Sequence, residues 1–145
     1  MITIQNILAH KGSQVWSVSR NATVLEAAML MSHHRIGALV VIEGANVVGI
    51  FTERDVLQKI VAQKRDPANT LVEEVMTDQV VCCTLETTLD EARGALKNRH
   101  IRHLPVMDGA GQLVGVVSIG DMNAHLATDQ ERTIYLLQEY LFGRM

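Results

Sequence analysis

The chain has 145 residues, of which 48% are hydrophobic and only 3% aromatic, and its formal net charge at pH 7 is −3. This length suits one domain, or two closely packed half-domains, with an aliphatic core. Slight acidity without a long basic run disfavours nucleic acid and anionic membranes as partners. The longest apolar runs are far shorter than the roughly 20 residues that cross a bilayer.

The N-terminal segment and the two cysteines are typical of a cytoplasmic protein. Residues 1–12 lack a basic start followed by a sustained apolar segment, so no signal peptide is predicted. Cys82 and Cys83 are adjacent and cannot join distant parts of the chain. Reduced thiols, and therefore a cytoplasmic location, are the expectation.

An internal repeat dominates the sequence. Residues 23–55 and 88–121 both begin with Thr-x-x-Glu-Ala and end with Ser/Thr-x-x-Asp. Two copies are too few for a solenoid. We therefore expect one compact body in which two half-domains cover each other's apolar faces. Such a pairing has a pseudo-twofold axis, with clefts where equivalent loops meet.

Each repeat begins with a predicted strand and helix. In the first repeat, residues 15–18 form a short strand, and Thr23 with Glu26 forms a capping box at a helix start. Apolar residues follow at helical spacing, which predicts one buried face. Thr88 and Glu91 repeat this pattern in the second half.

Two further strands and a closing helix complete each repeat. The apolar runs at residues 36–42 and 101–107 are each followed by a glycine-containing turn and a second β-rich run. This pattern predicts a hairpin in each half. Pro105 has no amide hydrogen, so its strand is expected at a sheet edge or a bulge.

The polar linker of residues 64–70 marks the boundary between the halves. A last helix carries Ile134, Leu137 and Leu141 on one face and is predicted to end at Gly143. It has no counterpart in the repeat, so it covers an edge of the body or joins two chains. The predicted units are an N-terminal extension at 1–14, a first repeat at 15–66, a second repeat at 72–127 and a C-terminal helix at 128–145.

The strongest candidate site is the pair of turns Thr52-x-x-Asp55 and Ser118-x-x-Asp121. A carboxylate at this position can accept two hydrogen bonds from a vicinal diol, as acidic residues do with ribose in dinucleotide sites. The helix start also favours a nearby phosphate. The alternative is a simple capping box, because the motif is short and common. The sequence leaves both interpretations open.

The second candidate is the basic segment that precedes Leu-Pro-Val. Arg102 and His103 there could hold an anion through charge-assisted hydrogen bonds. A solvated basic rim is the alternative. The histidines lack accompanying cysteine ligands, so no metal site is predicted. No Ser-His-Asp arrangement, glycine-rich phosphate loop or pair of catalytic carboxylates is present, and no enzyme is predicted.

The doubled pattern strongly resembles a pair of CBS domains, also called a Bateman module. The resemblance rests on residues 101–106 and 115–121, with their counterparts at 36–41 and 49–55, and it spans residues 15–126. The flanks resemble small stand-alone bacterial proteins. The resemblance implies an α+β fold of two β-α-β-β-α repeats packed sheet to sheet with pseudo-twofold symmetry, plus a C-terminal helix.

The resemblance also implies two clefts that take adenine nucleotides. The aspartate of each Ser/Thr-x-x-Asp motif would bind the ribose diol, and basic residues of the opposite repeat would bind phosphate. In the first cleft these roles fall to Thr52 and Asp55 for ribose, Arg102 and His103 for phosphate, and Val81 and Ile101 for adenine.

The second cleft would use Ser118 and Asp121, with Trp16 and Ile36 against the base. The positions that match Arg102 and His103 there carry glycine and alanine. Arg54 on the facing turn is expected to replace these cations in part. We therefore predict unequal sites, with the Asp55 cleft the better phosphate binder.

By resemblance, the protein is a regulatory module that senses AMP, ATP, NAD(H) or S-adenosylmethionine. It would form a homodimer and act on a separate effector protein. One alternative is a constitutive interaction scaffold with vestigial clefts. Another is nucleic-acid binding through Arg99, Arg102 and the Lys64-Arg65 linker, which the acidity and the scarce aromatics disfavour.

Overall fold

The computed structural model describes residues 1–142, which form two three-stranded sheets flanked by helices. The first repeat contains β1 Ser17–Ser19, α2 Val24–His34, β2 Ala38–Glu43, β3 Asn46–Thr52 and α3 Glu53–Asp55, which continues as a π-helix at Val56–Val61. The second contains β4 Cys83–Thr84, α5 Leu89–Arg99, β5 His103–Met107, β6 Leu113–Ser118 and α6 Ile119–Phe142. Helices α1 Ile4–Lys11 and α4 Val72–Val75 precede the two repeats, and a 3₁₀ turn at Pro67–Asn69 precedes α4.

The two sheets have the same topology. Their strand orders are β1-β2-β3 and β4-β5-β6, with the first pair of each parallel and the second antiparallel. This confirms the predicted β-α-β-β-α order and the α+β class. The first strand begins later than predicted, at Ser17, because its pairing starts where Ser17 lies opposite Val40.

The predicted threonine caps begin the first long helix of each repeat. Thr23 Oγ1 accepts a hydrogen bond of 3.1 Å from the Glu26 amide. Thr88 Oγ1 accepts from the Glu91 amide at 3.1 Å, and Glu91 Oε1 accepts in return from the Thr88 amide and hydroxyl. At this helix start, the reciprocal box is complete at Thr88 but not at Thr23. These bonds satisfy amides that a helix start leaves without partners.

Helices α1 and α4 each complete the core of the opposite repeat. Ile4, Ile7 and Leu8 of α1 belong to the hydrophobic cluster of the second repeat, while Val72 and Val75 of α4 belong to that of the first. Equivalent backbone bonds fix both helices, from Leu89 N to Ile2 O at 2.9 Å and from Val24 N to Thr70 O at 2.8 Å. The N-terminal segment, expected only as an extension, is thus part of a core.

The central strands are buried on both faces, as sheet-to-sheet packing requires. In β2, Leu39 and Val41 point into the core of the first repeat, and Val40 between them is also buried. In β5, Leu104 and Val106 point into the second core, and Pro105 between them is buried. Since alternate residues of a strand face opposite sides, the second face of each sheet is covered too.

The expectation that the Pro105 strand lies at an edge is wrong, because β5 is the centre of its sheet. In the first repeat, the amide of Val40 donates to Trp16 O at 3.3 Å. Pro105 occupies the equivalent position and has no amide to donate. Strand β4 accordingly pairs only with Val106 and Met107. The irregularity in the β5–β6 register between those residues has a counterpart between Val41 and Ile42, so the proline does not cause it. A shortened neighbour accommodates the proline in a central strand.

The closing helix of the second repeat and the predicted C-terminal helix are one continuous helix, α6. Its side chains Ile134, Leu137 and Leu141 are more than half exposed, so they cover no edge of this chain. The predicted helix end at Gly143 lies outside the described residues. The limits assigned to the four units of the chain stay predictions.

Replacing Gly49 with alanine is expected to lower the free energy of unfolding by about 1–3 kcal/mol. A Cβ at this position would lie 2.5 Å from Met76 Sδ and 2.9 Å from Thr77 O. Thr77 cannot shift freely, because its backbone exchanges two 2.9 Å hydrogen bonds with Ile50. Urea unfolding of both proteins measures the difference.

Gly94→Ala is the matched control, since Gly94 lies inside α5 and its added Cβ would meet open space. There alanine should raise stability, by up to about 1 kcal/mol. Equal stability of Gly49→Ala and the wild type would contradict the close approach of the segment after α4 to β3.

Candidate functional site

A cavity of about 240 Å³ lies between the two repeats beside the turn that carries Asp55, and we call it the Asp55 cleft. All six residues predicted for the first site line it. They are Thr52, Asp55, Val81, Ile101, Arg102 and His103. The structure therefore brings the acidic residue of one repeat and the basic segment of the other to one hollow.

The carboxylate of Asp55 is held in a fixed orientation at the start of α3. Its Oδ2 accepts from the Thr52 amide at 2.9 Å and from the Thr52 hydroxyl at 3.2 Å, and Thr52 Oγ1 accepts from the Asp55 amide. Lys59 Nζ lies 3.0 Å from Oδ1 and also donates to Val75 O. The capping interpretation of this motif is confirmed, and binding of a ligand by Asp55 stays a prediction.

The helix that follows Asp55 is a π-helix. Its amide bonds run five residues back, from Ala62 to Leu57 and from Arg65 to Ile60, both at 3.0 Å. This widened turn carries Gln58 and Lys59, which line the Asp55 cleft. π-Helical segments cost stability and occur often at functional sites. Lys59 was not among the predicted site residues, although its position four residues after Asp55 was a usable signal.

A second cavity, of about 260 Å³, is related to the first by the pseudo-twofold axis, and we call it the Asp121 cleft. Ser118, Asp121, Trp16 and Ile36 line it together, as predicted. Ser118 and Asp121 form the same capping arrangement, with bonds of 2.8 and 3.0 Å. His34 stacks on the Trp16 indole at a centroid distance of 3.5 Å, so one face of that ring already has a partner.

Both repeats, together with the helices that precede them, match the family model of the CBS domain, at residues 4–62 and 72–128. This chain belongs to the CBS-domain family. CBS-domain pairs are generally regulatory modules, and the names of the relatives give no enzymatic activity.

Similar CBS-domain proteins are found in several groups of bacteria. The CBS domain-containing protein YhcV of Bacillus subtilis is 39% identical over 110 residues, which are 76% of this chain and 77% of that protein. A CBS-domain protein from Burkholderia ambifaria is 40% identical, with a TM-score of 0.85 over 88% of this chain and 96% of its own. The hexameric CBS-CP12 protein from bloom-forming cyanobacteria is 28% identical, with a TM-score of 0.75 over 83% of this chain and 66% of its own.

Cationic side chains outnumber acidic ones on the wall of the Asp55 cleft. Arg54, Lys59 and Arg102 are opposed by Glu53 and Asp55. Burial lowers the pKa of His103, whose neighbours Asp121 and Lys11 act in opposite directions. His103 is therefore neutral at neutral pH, and it is a hydrogen-bonding group rather than a second positive charge. Of the two residues predicted to bind phosphate, Arg102 and His103, Arg102 is therefore the one that is positively charged.

Arg54 does not serve the Asp121 cleft as expected, because it lines the Asp55 cleft instead. The cation at Asp121 is Lys11, whose Nζ lies 2.6 Å from Asp121 Oδ2 and 2.6 Å from Val116 O. Helix α1 has eight residues and its counterpart α4 only four, and Lys11 lies in the additional last turn of α1. Arg35 also lines this cleft. The expectation of a cation-poor second site is corrected.

Lys11→Met is expected to lower stability at pH 7 by up to about 1 kcal/mol. Burial alone would raise the pKa of Asp121, but hydrogen bonds from Lys11 and Ser118 outweigh it and hold the pKa below its usual value of 3.8. A carboxyl group whose pKa is lowered by folding stabilises the folded state at pH values above its unfolded pKa. This stabilisation is lost as the pH falls through the folded pKa. Urea unfolding between about pH 2.5 and pH 7 measures this dependence. If Lys11→Met were less stable than the wild type by the same amount at about pH 2.5 and at pH 7, the ion pair between Lys11 and Asp121 would be contradicted.

Among the side chains that the structure describes, no group of three or more histidine, cysteine, aspartate or glutamate residues is arranged to hold a metal ion. No helix in the described part of the chain is both long and apolar enough to cross a bilayer. Both cysteines are free thiols, Cys82 exposed and Cys83 buried, and burial raises the pKa of Cys83 to about 11.

Proposed function

We propose that the protein is a regulatory module that binds an adenosine ligand in the Asp55 cleft and acts on a separate protein. The observation that carries this proposal is the common cavity lined by Asp55 of the first CBS domain and Arg102 of the second. The ligand is AMP, ATP or a related compound such as NAD(H) or S-adenosylmethionine. Since the ribose and the phosphates of this ligand would contact different CBS domains, ligand binding would change how the two domains pack.

Each part of an adenosine nucleotide has a matching group in this cleft. The Asp55 carboxylate, preoriented by Thr52, accepts hydrogen bonds from the ribose hydroxyls. Val81 and Ile101 provide half-buried apolar surface for adenine. Arg102, which is exposed, donates charge-assisted bonds to phosphate, and His103 adds a neutral donor.

The Asp121 cleft is proposed as the weaker or more selective site. The hydrogen bonds to the Asp121 side chain from described residues all fall on Oδ2, which Lys11 and Ser118 occupy. A ribose diol there would use Oδ1 or displace Lys11. The Lys11 ammonium, once released from Asp121, is itself a phosphate ligand. At Asp55 the cation is Lys59, which lies 3.0 Å from Oδ1, so each cleft holds its carboxylate against a lysine. The feature that favours the Asp55 cleft is that Trp16, which lines the Asp121 cleft, already stacks on His34.

A thermal-shift panel tests the proposal. A ligand that binds only the folded state stabilises it by about 2.7 kcal/mol at a hundredfold excess over its Kd. We expect AMP or another adenosine compound to raise Tm, and the guanosine and cytidine nucleotides with equal phosphates to raise it less. If no adenosine compound raises Tm at millimolar concentration, the sensing function is wrong.

Exposed apolar side chains favour a protein partner in addition to a small ligand. Ile134, Leu136, Leu137 and Leu141 of α6 are each more than half exposed. We propose that a second copy of the chain covers part of this surface, consistent with the hexameric CBS-CP12 relative. In the alternative scaffold function, partner binding would be unchanged by loss of Asp55. Location in the cytoplasm stays a proposal.

A further inference from the structure

A second hollow continues from the Asp55 cleft along helix α5, and we call it the α5 groove. Its volume is about 580 Å³. It shares four lining residues with the Asp55 cleft, so the two hollows adjoin. These residues are Arg54, His100, Ile101 and Arg102.

The α5 groove is strongly cationic. Its basic side chains come from both CBS domains, and the single acid in its lining is Asp90. The basic residues are Arg54, Arg93, Lys97, His100 and Arg102. All five are exposed, and none forms a salt bridge to an acidic side chain in the part of the chain that the structure describes. An unneutralised cluster of this kind attracts a multiply charged anion.

The first CBS domain contains a matching groove of about 530 Å³ that serves as an internal comparison. The sequence repeat places Ala28 and Ser32 where the α5 groove has Arg93 and Lys97. The charged residues that line the first groove are one base, Arg35, and one acid, Glu53. The same helix and turn therefore form without these cations, so folding does not require them.

We propose that the α5 groove holds the distal phosphates of an adenosine polyphosphate, of the nucleoside triphosphate class, whose ribose lies at Asp55. This inference rests on the proposed function for the position of the ribose. Arg102 lies where the two hollows adjoin and contacts the first phosphate. Arg93 and Lys97 on α5 contact the phosphates beyond it. Arginine binds phosphate through two parallel N–H groups, and lysine binds it as a mobile point charge.

Isothermal titration of AMP and ATP without divalent cations tests the groove. The wild type should bind ATP more tightly than AMP by about tenfold or more, as two further charge-assisted contacts imply. The double variant Arg93→Ala with Lys97→Ser installs the residues of the first repeat. It should bind AMP as the wild type does and lose the preference for ATP.

A matched control removes two charges outside the groove. Lys64 and Arg99 are exposed, and neither lines the Asp55 cleft or the α5 groove. Lys64→Asn with Arg99→Gln should keep the preference for ATP. Asparagine suits position 64, where the backbone φ is +56°. Circular dichroism and Tm confirm that each variant is folded.

Inorganic tripolyphosphate separates the groove from the adenosine site. If AMP and ATP bind the wild type equally, or if the groove variant keeps the ratio, the groove proposal is overturned while adenosine binding stands. If tripolyphosphate and ATP bind equally well, only when Arg93 and Lys97 are present, and AMP does not bind, the groove is supported as a phosphate site and the adenosine function fails. If neither binds, both are wrong.

Discussion

Asp55→Asn is expected to weaken the binding of AMP and ATP by at least about 100-fold. The carboxylate would accept two hydrogen bonds from the ribose, and bonds to a charged group contribute about 1.5–3 kcal/mol each. Asparagine keeps the size of the side chain, and its oxygen can still accept from the Thr52 amide that now donates at 2.9 Å. Isothermal titration of both nucleotides measures the loss.

Asp121→Asn is the matched control, because the pseudo-twofold axis places it at the same point of the second CBS domain. It should leave the tighter binding event unchanged. Asp55→Asn also loses its ion pair with Lys59, so its Tm is measured in the absence of ligand. Unchanged affinity in folded Asp55→Asn, or a larger loss in Asp121→Asn, would contradict the assignment of the main site.

Ile7→Ala is expected to lower the free energy of unfolding by about 2–5 kcal/mol, the usual cost of removing a fully buried aliphatic side chain. Ile7 is 1% exposed and belongs to the core of the second CBS domain, although it precedes the first in the chain. Urea unfolding measures the effect. Leu57→Ala is the control, since Leu57 is 63% exposed and should change stability by less than about 1 kcal/mol.

Hydrogen exchange would show which domain depends on α1. In Ile7→Ala, the amides of α5 and β5 should exchange faster, because their side chains share a core with Ile7. The amides of β2 in the first CBS domain should change less. Faster exchange in β2 alone would contradict the crossed arrangement of α1 and α4.

Features set by neighbouring residues could be predicted from the sequence. The caps at Thr23 and Thr88 depend on residues three positions away, and the hairpins follow from apolar runs joined by glycine-containing turns. The repeat then implied that equivalent loops meet. The pairing of Asp55 with Arg102, 47 residues apart, was implied by the resemblance to CBS domains, and both residues line one cleft.

Features set by distant contacts could not be predicted in this way. The crossing of α1 into the second domain gives no local signal, and it also places Lys11 beside Asp121. Arg54 was assigned to the wrong cleft because sequence spacing does not give the direction of an exposed side chain. Pro105 was expected at an edge or a bulge, since the two-residue length of β4 was unknown.

A crystal structure of the protein grown with saturating ATP tests the central claim most directly. The ligand should lie between the two CBS domains, with its ribose hydroxyls within hydrogen-bonding distance, about 3 Å, of the Asp55 carboxylate. Its phosphates should contact Arg102. An empty Asp55 cleft under these conditions, or a nucleotide bound only elsewhere on the protein, would contradict the account.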